Sequence, residues 1–147
     1  MTEKVPLESE ECADLVSWIE DQNKVFQYNK KDKILFSKLT QDFFINLTGL
    51  RKIKYLQKQR KEGKRKGVPD FIIIIPNSIC RLNKSVLIFI ELKRRRKTLK
   101  SGAISEEKVS TSPEQEMWVE NLSLVADVQA FVSEGADKAI ETIKHYL

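Results

Sequence analysis

The chain has 147 residues, of which 41% are hydrophobic and 32% charged; this is the size and apolar share of one globular domain and excludes wholesale disorder. The apolar runs Phe71–Ile75 and Val86–Ile90 are too short to cross a bilayer, the N-terminus shows no apolar signal segment, and the distant cysteines Cys12 and Cys80 read as free thiols of a reducing, intracellular compartment. The expected location is intracellular, the cytoplasm of a prokaryote or of a host cell, or the nucleus in a eukaryote. The single histidine, His145, excludes a His-rich zinc site and argues against Ser-His-Asp or Cys-His catalysis; the net charge of +5 marks a mildly basic protein.

Taken in chain order, Cys12, Leu15, Val16 and Ile19 recur at helical spacing and predict a helix over 9–22, capped by Ser9 or Glu8. Lys24–Tyr28 reads as a short strand before a polar turn at Asn29–Lys33. Residues 34–48 fit either element: Leu39, Phe43, Phe44 and Leu47 have helical spacing, while Phe43–Ile45 suits a strand. Ile53, Leu56 and a basic face from Lys52 to Arg60 predict a helix ending before Gly63. A basic loop from Gly63 to Gly67 leads through Val68-Pro69-Asp70 into a strand at Phe71–Ile75, and Val86–Lys93 is the second strong strand. Both are apolar at consecutive positions, the pattern of strands covered on both faces.

Residues 97–112 read as an exposed loop, and Ser112-Pro-Glu-Gln115 as a helix start with Ser at the N-cap and Gln three on. Met117, Trp118 and Leu122 give that helix its expected buried stripe. A strand at Val128–Val132 and a helix at Ala136–Leu147 close the chain, with His145 on the surface of the last turn. The sum is an α/β domain, a mixed sheet with helices on both faces.

Charge is distributed unevenly along these elements. Residues 51–100 hold 17 Lys and Arg against 3 Asp and Glu, whereas both flanking segments are net acidic. Such a field attracts a polyanion through phosphate contacts and counterion release; the same residues would also serve as a solubilising surface, with Arg94–Lys97 as a nuclear import tag.

Two strand ends carry the chemistry. Asp70 opens one apolar strand, and Glu91 and Lys93 close the other on one face, with Leu92 on the opposite face. A carboxylate at the end of five apolar residues must be paired, hydrogen-bonded or metal-bound. If the strands are neighbours, Asp70, Glu91 and the backbone carbonyl of Leu92 converge into a hard oxygen site of the kind Mg²⁺ prefers, with Mn²⁺ as a substitute. Lys93 would then position water or stabilise the transition state. Glu-x-Lys alone equally describes solvated strand-end charges; the conjunction of Pro-Asp, two apolar strands, Glu-x-Lys and a basic run is more specific.

At these residues the chain resembles a known family. Gly67-Val68-Pro69-Asp70 followed by Glu91-Leu92-Lys93 is similar to the signature of the PD-(D/E)XK nuclease superfamily, and more closely to its VRR-NUC branch, the virus-type replication-repair nucleases. That branch is similar in its glycine before Pro-Asp, in a Ser-x-x-Gln helix start (here Ser112–Gln115, followed by Trp118) and in a glutamate on the first helix. Glu11 is the match for that glutamate, with Glu10 and Glu8 as alternatives. The resemblance covers residues 9–22 and 63–147; residues 30–62 read as an insertion or divergent stretch. A glycine expected before the last core strand is replaced by Ala126-Asp127.

The resemblance implies a restriction-endonuclease-like fold of core order αβββαβ in a single domain, 1–147, that hydrolyses phosphodiester bonds of DNA. Asp70 and Glu91 would be metal ligands, Lys93 would orient the attacking water, Gln115 would sit at the site edge, and Glu11 would complete the metal shell through water. For Gln115 a plain capping role, and for Glu11 a helix-dipole role, stand beside these assignments. Lys61, Lys64, Arg65, Lys66 and Arg94, Arg95, Arg96, Lys97 would form rims for phosphates. No base-reading motif appears, so the expected partner is duplex or branched DNA selected by shape, in replication, repair or recombination. Small members of the branch act as dimers, so a homodimeric endonuclease is expected. Two rival readings are a non-catalytic nucleic-acid-binding module and a basic protein-interaction adaptor.

Overall fold

The periodicity that begins at Cys12 does not stop at Gln22. In a computed structural model, which describes residues 4–39, 48–105 and 109–147, helix α1 runs from Glu8 to Tyr28. Leu15 and Ile19 are fully buried, and Phe26, two turns beyond Ile19, packs against the same core. The strand expected at Lys24–Tyr28 is therefore the end of a helix: the 3.6-residue spacing outlasts the β-prone residues that suggested a strand. Neither Ser9 nor Glu8 caps it; the Glu10 carboxylate accepts the Leu7 N–H at 2.5 Å. Asn23 clasps Ile34, donating to its carbonyl at 2.9 Å and accepting its N–H at 2.8 Å, which turns the chain into strand β1 (Leu35–Lys38). Phe43, Phe44 and Leu47 lie outside the described residues.

Helix α2 (Gly49–Lys61) follows and packs against none of the other described helices or strands. Strands β2 (Phe71–Ile75) and β3 (Val86–Lys93) have the expected bounds. Helix α3 (Pro113–Ser123), strand β4 (Val128–Glu134) and helix α4 (Ala136–Lys144) complete the chain. The sheet order is β1-β2-β3-β4: β1 and β3 both pair antiparallel to β2, and β4 pairs parallel to β3. A parallel neighbour needs a crossover, and α3 supplies it.

Val86, Ile88, Ile90 and Leu92 of β3 and Phe71, Ile73 and Ile75 of β2 join Leu15, Ile19, Ala139 and Ile143 in one buried core, so α1 and α4 cover that face. The other face is not equally covered. Ile72, Ile74, Leu87 and Phe89 are only half-buried, because α3 lies over β3 and β4 alone. The apolar runs thus mark one sealed face and one partly open face. Helix α3 likewise lacks the expected buried stripe: Met117 is half exposed and none of its residues is fully buried.

Asp127, standing where a glycine was expected, has φ +61°, the left-handed conformation that Asp tolerates better than most residues, and its carboxylate pairs with Lys84 at 2.5 Å. His145 sits after α4 with its ring edge against Tyr146. The architecture is the expected α/β class, a four-stranded mixed sheet flanked by helices, with core order α1-β1-β2-β3-α3-β4 and α2 inserted between β1 and β2.

Candidate active site

The antiparallel pairing of β2 with β3 ends at Phe71 and Ile90. Beyond it Asp70 leaves β2 while β3 continues to Lys93, so the expected convergence of the two strand ends takes place. The Leu92 N–H has no ladder partner on that edge and donates to Asp70 Oδ2 at 2.9 Å. The N–H and C=O of a strand residue point to the same edge, so the Leu92 carbonyl opens toward Asp70 as well.

Glu91 and Lys93 stand on the partly open face under α3. The Glu91 side chain is 2% exposed. Its Oε1 takes the Lys93 Nζ at 2.8 Å and also accepts the Gln115 side-chain amide. Its Oε2 is buried with no hydrogen-bond partner. Burial pushes the Glu91 carboxyl above its usual range; Lys93 pulls it down, and the charges of Asp70 and Glu8 push it further up.

Gln115 makes the capping contacts and also reaches Glu91 and Lys93. Its Oε1 accepts the Ser112 N–H at 2.9 Å while its own N–H donates to Ser112 Oγ at 3.2 Å, closing the capping box. The same Oε1 receives Lys93 Nζ at 3.3 Å, and Nε2 serves Glu91. The helix cap therefore fixes the rotamer that bridges the site.

Glu11 has other partners than the expected metal shell. Its two oxygens accept Arg95 Nε and Nη2 at 2.6 and 3.0 Å, and Oε2 also accepts the Ala136 N–H at 2.8 Å. Full burial penalises its charge, but the Arg95 and Ala136 hydrogen bonds outweigh that and hold the carboxyl below its usual range. The charge of Glu8 is among those that push the Glu91 carboxyl up, and Glu8 lines a groove of about 400 Å³ shared with Lys93, Lys97, Val109 and Ser110. Glu10 is occupied at the Leu7 N–H. Helical spacing left Glu8 and Glu11 both open, because residues three apart are neighbours on one side of the helix.

The basic run just after β3 makes contacts within the chain. Arg94 donates to the carbonyls of Val5 and Pro6 at 2.6 and 2.7 Å, Arg95 pairs with Glu11 and Asp137, and Arg96 grips Glu134 at 2.9 Å. These three guanidiniums serve contacts within the chain; Lys97 is exposed. On the other rim Lys61, Lys64, Arg65 and Lys66 are exposed, with Arg65 donating to the Arg60 and Lys64 carbonyls. The rim is attached firmly to the site: Gly67 has φ +79°, and a Cβ there would stand 2.5 Å from the Glu114 carbonyl carbon.

The donor set fits a hard divalent cation. Among the described residues no group of three or more His, Cys, Asp or Glu side chains forms a metal cage. Two carboxylates and a carbonyl would leave the remaining positions to water and substrate phosphate, the manner in which Mg²⁺ is usually held. The unpartnered buried Glu91 Oε2 is the observation that such an ion would explain.

The sequence matches no protein-family model and no curated protein. Among solved structures it is similar to one described as a VRR_NUC domain protein, with 20% identity and a TM-score of 0.59 over 98% of this chain and 90% of that one. Nearly the whole chain, α2 included within that span, therefore has the fold of a VRR_NUC domain protein.

Proposed function

We propose that this chain is a metal-dependent nuclease that hydrolyses phosphodiester bonds of DNA. The observation that carries the reading is Glu91: a carboxylate 2% exposed, with one oxygen engaged by Lys93 and Gln115 and the other without a partner, one residue from the Leu92 N–H that Asp70 accepts. A protein seldom buries an unpaired carboxylate oxygen unless something binds it. The likeness in fold to a VRR_NUC domain protein supports the same reading.

Asp70 and Glu91, with the Leu92 carbonyl, would hold Mg²⁺ or Mn²⁺, which when bound lowers the pKa of water and neutralises phosphate charge. Lys93 Nζ, held between Glu91 and Gln115, orients the attacking water and balances charge on the phosphate. Gln115 keeps Lys93 and Glu91 in register. Glu8, in the groove beside Lys93, is the helix glutamate best placed to touch the water network. The exposed lysines of 58–66 supply phosphate contacts, and the lack of a base-reading motif supports selection of duplex or branched DNA by shape. Endonucleolytic cleavage by a homodimer, in replication, repair or recombination, belongs to this reading and rests on the family resemblance.

A cleavage panel of single-stranded, duplex, flap and four-way-junction DNA, each with Mg²⁺, Mn²⁺ or EDTA, tests it. The expected result is cleavage with either metal, strongest on branched DNA, and none in EDTA. Binding without cleavage under every condition would leave a non-catalytic nucleic-acid-binding module instead.

A further inference from the structure

We propose that Trp118 is a positioning residue: its indole N–H, donated to the Lys66 carbonyl at 3.0 Å, fixes the segment leading to Asp70 against the start of α3 and so sets Asp70 relative to Glu91, Lys93 and Gln115. The proposal rests on the nuclease reading for what the positioning achieves.

Three observations converge on it. Trp118 follows Gln115 by three residues, so one face of one helix presents both the bridge to Glu91 and Lys93 and the grip on Lys66. The next residue, Gly67, lies so close to the first turn of α3 that an added Cβ would meet the Gln115 nitrogen at 2.6 Å and the Glu114 carbonyl carbon at 2.5 Å. Between Gly67 and Asp70 stand only Val68 and the buried Pro69. The proline ring fixes its own φ and restricts the residue before it. Three residues of stiff chain reach roughly 10 Å, with little slack. A shift at Lys66–Gly67 therefore arrives at Asp70.

The far side of the grip matters as well. Helix α2 packs against no other described helix or strand, and the indole of Trp118 joins the end of the basic segment 58–66 to α3 at the Lys66 carbonyl. Phosphates resting on those lysines would pull on the segment that carries Asp70. Trp118 transfers that load to α3, which also holds Gln115.

Asp70 has its own reporter, because the Leu92 N–H donates to its carboxylate rather than to a strand, and the Leu39 N–H donates to its carbonyl at 2.7 Å. The experiment compares wild type with Trp118→Phe, which keeps most of the ring and deletes the donor. Amide exchange by NMR is read at Leu92 and Leu39 against Ile88 and Ile90 in the ladder. Mg²⁺ binding is read by calorimetry, and turnover is measured at saturating and at limiting DNA.

Exchange at Leu92 and Leu39 is expected to rise about tenfold with Ile88 and Ile90 unchanged, the scale of one missing hydrogen bond. Mg²⁺ affinity is expected to fall about fivefold and kcat at least about tenfold, with DNA affinity within twofold of wild type. Unchanged exchange at Leu92 and Leu39 overturns the proposal. So does faster exchange with wild-type Mg²⁺ affinity and kcat, which would make Trp118 a structural contact only. Wild-type protein that neither binds Mg²⁺ nor cleaves DNA would fail the nuclease reading and, with it, the part of the proposal about function; the exchange data would still decide whether Trp118 seats Asp70.

Discussion

Two buried glutamates divide this molecule into a region that is finished and a region that is not. Glu11 and Glu91 are 0% and 2% exposed, and each has a basic partner on or just beyond β3. Around Glu11 every oxygen is spoken for, by the fork of Arg95 and by the first amide of α4. Around Glu91 one oxygen has two partners and the other none. The consequence is a difference in sign: the Glu11 carboxyl is held below its usual range, and burial pushes Glu91 above its own. Burial of a carboxylate is therefore not in itself a mark of a site. The mark is a buried carboxylate that the protein leaves incompletely bonded.

The comparison breaks most visibly at the two proposed metal ligands. Asp70→Ala or Glu91→Ala should take cleavage below detection while DNA binding stays at the wild-type level or tightens, because a negative charge near phosphate is removed; gel shift and cleavage on one substrate check both. Cleavage near the wild-type rate in either variant would put Glu91 in the same class as Glu11.

Lys93→Met should keep the stem packed and lower turnover at least ~100-fold, the scale for a group acting in the transition state. Arginine should rescue poorly, since a planar fork does not fit where one ammonium lies between Glu91 and Gln115. Single-turnover rates read the effect. On a purely structural role Lys93→Arg would be silent.

Glu11→Gln should do the opposite: turnover per folded molecule within twofold of wild type, with stability lowered by about 2 kcal/mol in denaturant titration. Breaking a buried pair costs ~3–5 kcal/mol, and the Arg95 side chain, 37% exposed, recovers part of that in water. The destabilisation has a pH window. A carboxyl depressed in the folded state stabilises fully above its unfolded value of about 4.3, so the gap between wild type and Glu11→Gln should be complete at neutral pH and close as pH falls below about 4. Glu134, held at about 2 by the Arg96 side chain, should follow the same direction and persist to lower pH. The raised Glu91 should act in reverse, its ionisation opposing folding as pH rises.

The smallest effects separate the two basic rims. Lys61→Glu or Lys66→Glu should flatten the dependence of log K on log salt by ~0.9 for each duplex phosphate that the variant no longer neutralises. Arg96→Gln should leave the slope unchanged, because Glu134 already occupies that guanidinium. A change of slope with Arg96→Gln would return the 94–97 run to the DNA.

The two strands that carry Asp70, Glu91 and Lys93 were legible because continuous Ile, Val, Leu and Phe runs between Pro and polar turns admit few other states. The start of α3 was legible for a related reason: a capping box fixes four residues by local hydrogen bonds. What escaped was decided by longer-range contacts. Lys24–Tyr28 looks extended locally, yet it continues the helix and brings Phe26 against the core. Glu8 and Glu11 differ by less than one turn, and their fates diverge because Arg95 and Ala136, distant in sequence, reach one of them. Arg95 and Arg96 counted toward the positive run until Glu11, Asp137 and Glu134 came into view. Net charge along a chain says how many cations there are, not which are already paired.

The claim beneath all of this is that the bare oxygen of Glu91 is a ligand and the saturated carboxylate of Glu11 is not. Calorimetric titration of Mg²⁺ into wild type, Glu91→Gln and Glu11→Gln, with folding verified for each, tests it without any nucleic acid. Binding should persist in wild type and in Glu11→Gln and disappear in Glu91→Gln; Glu91→Gln binding Mg²⁺ as wild type does would contradict it.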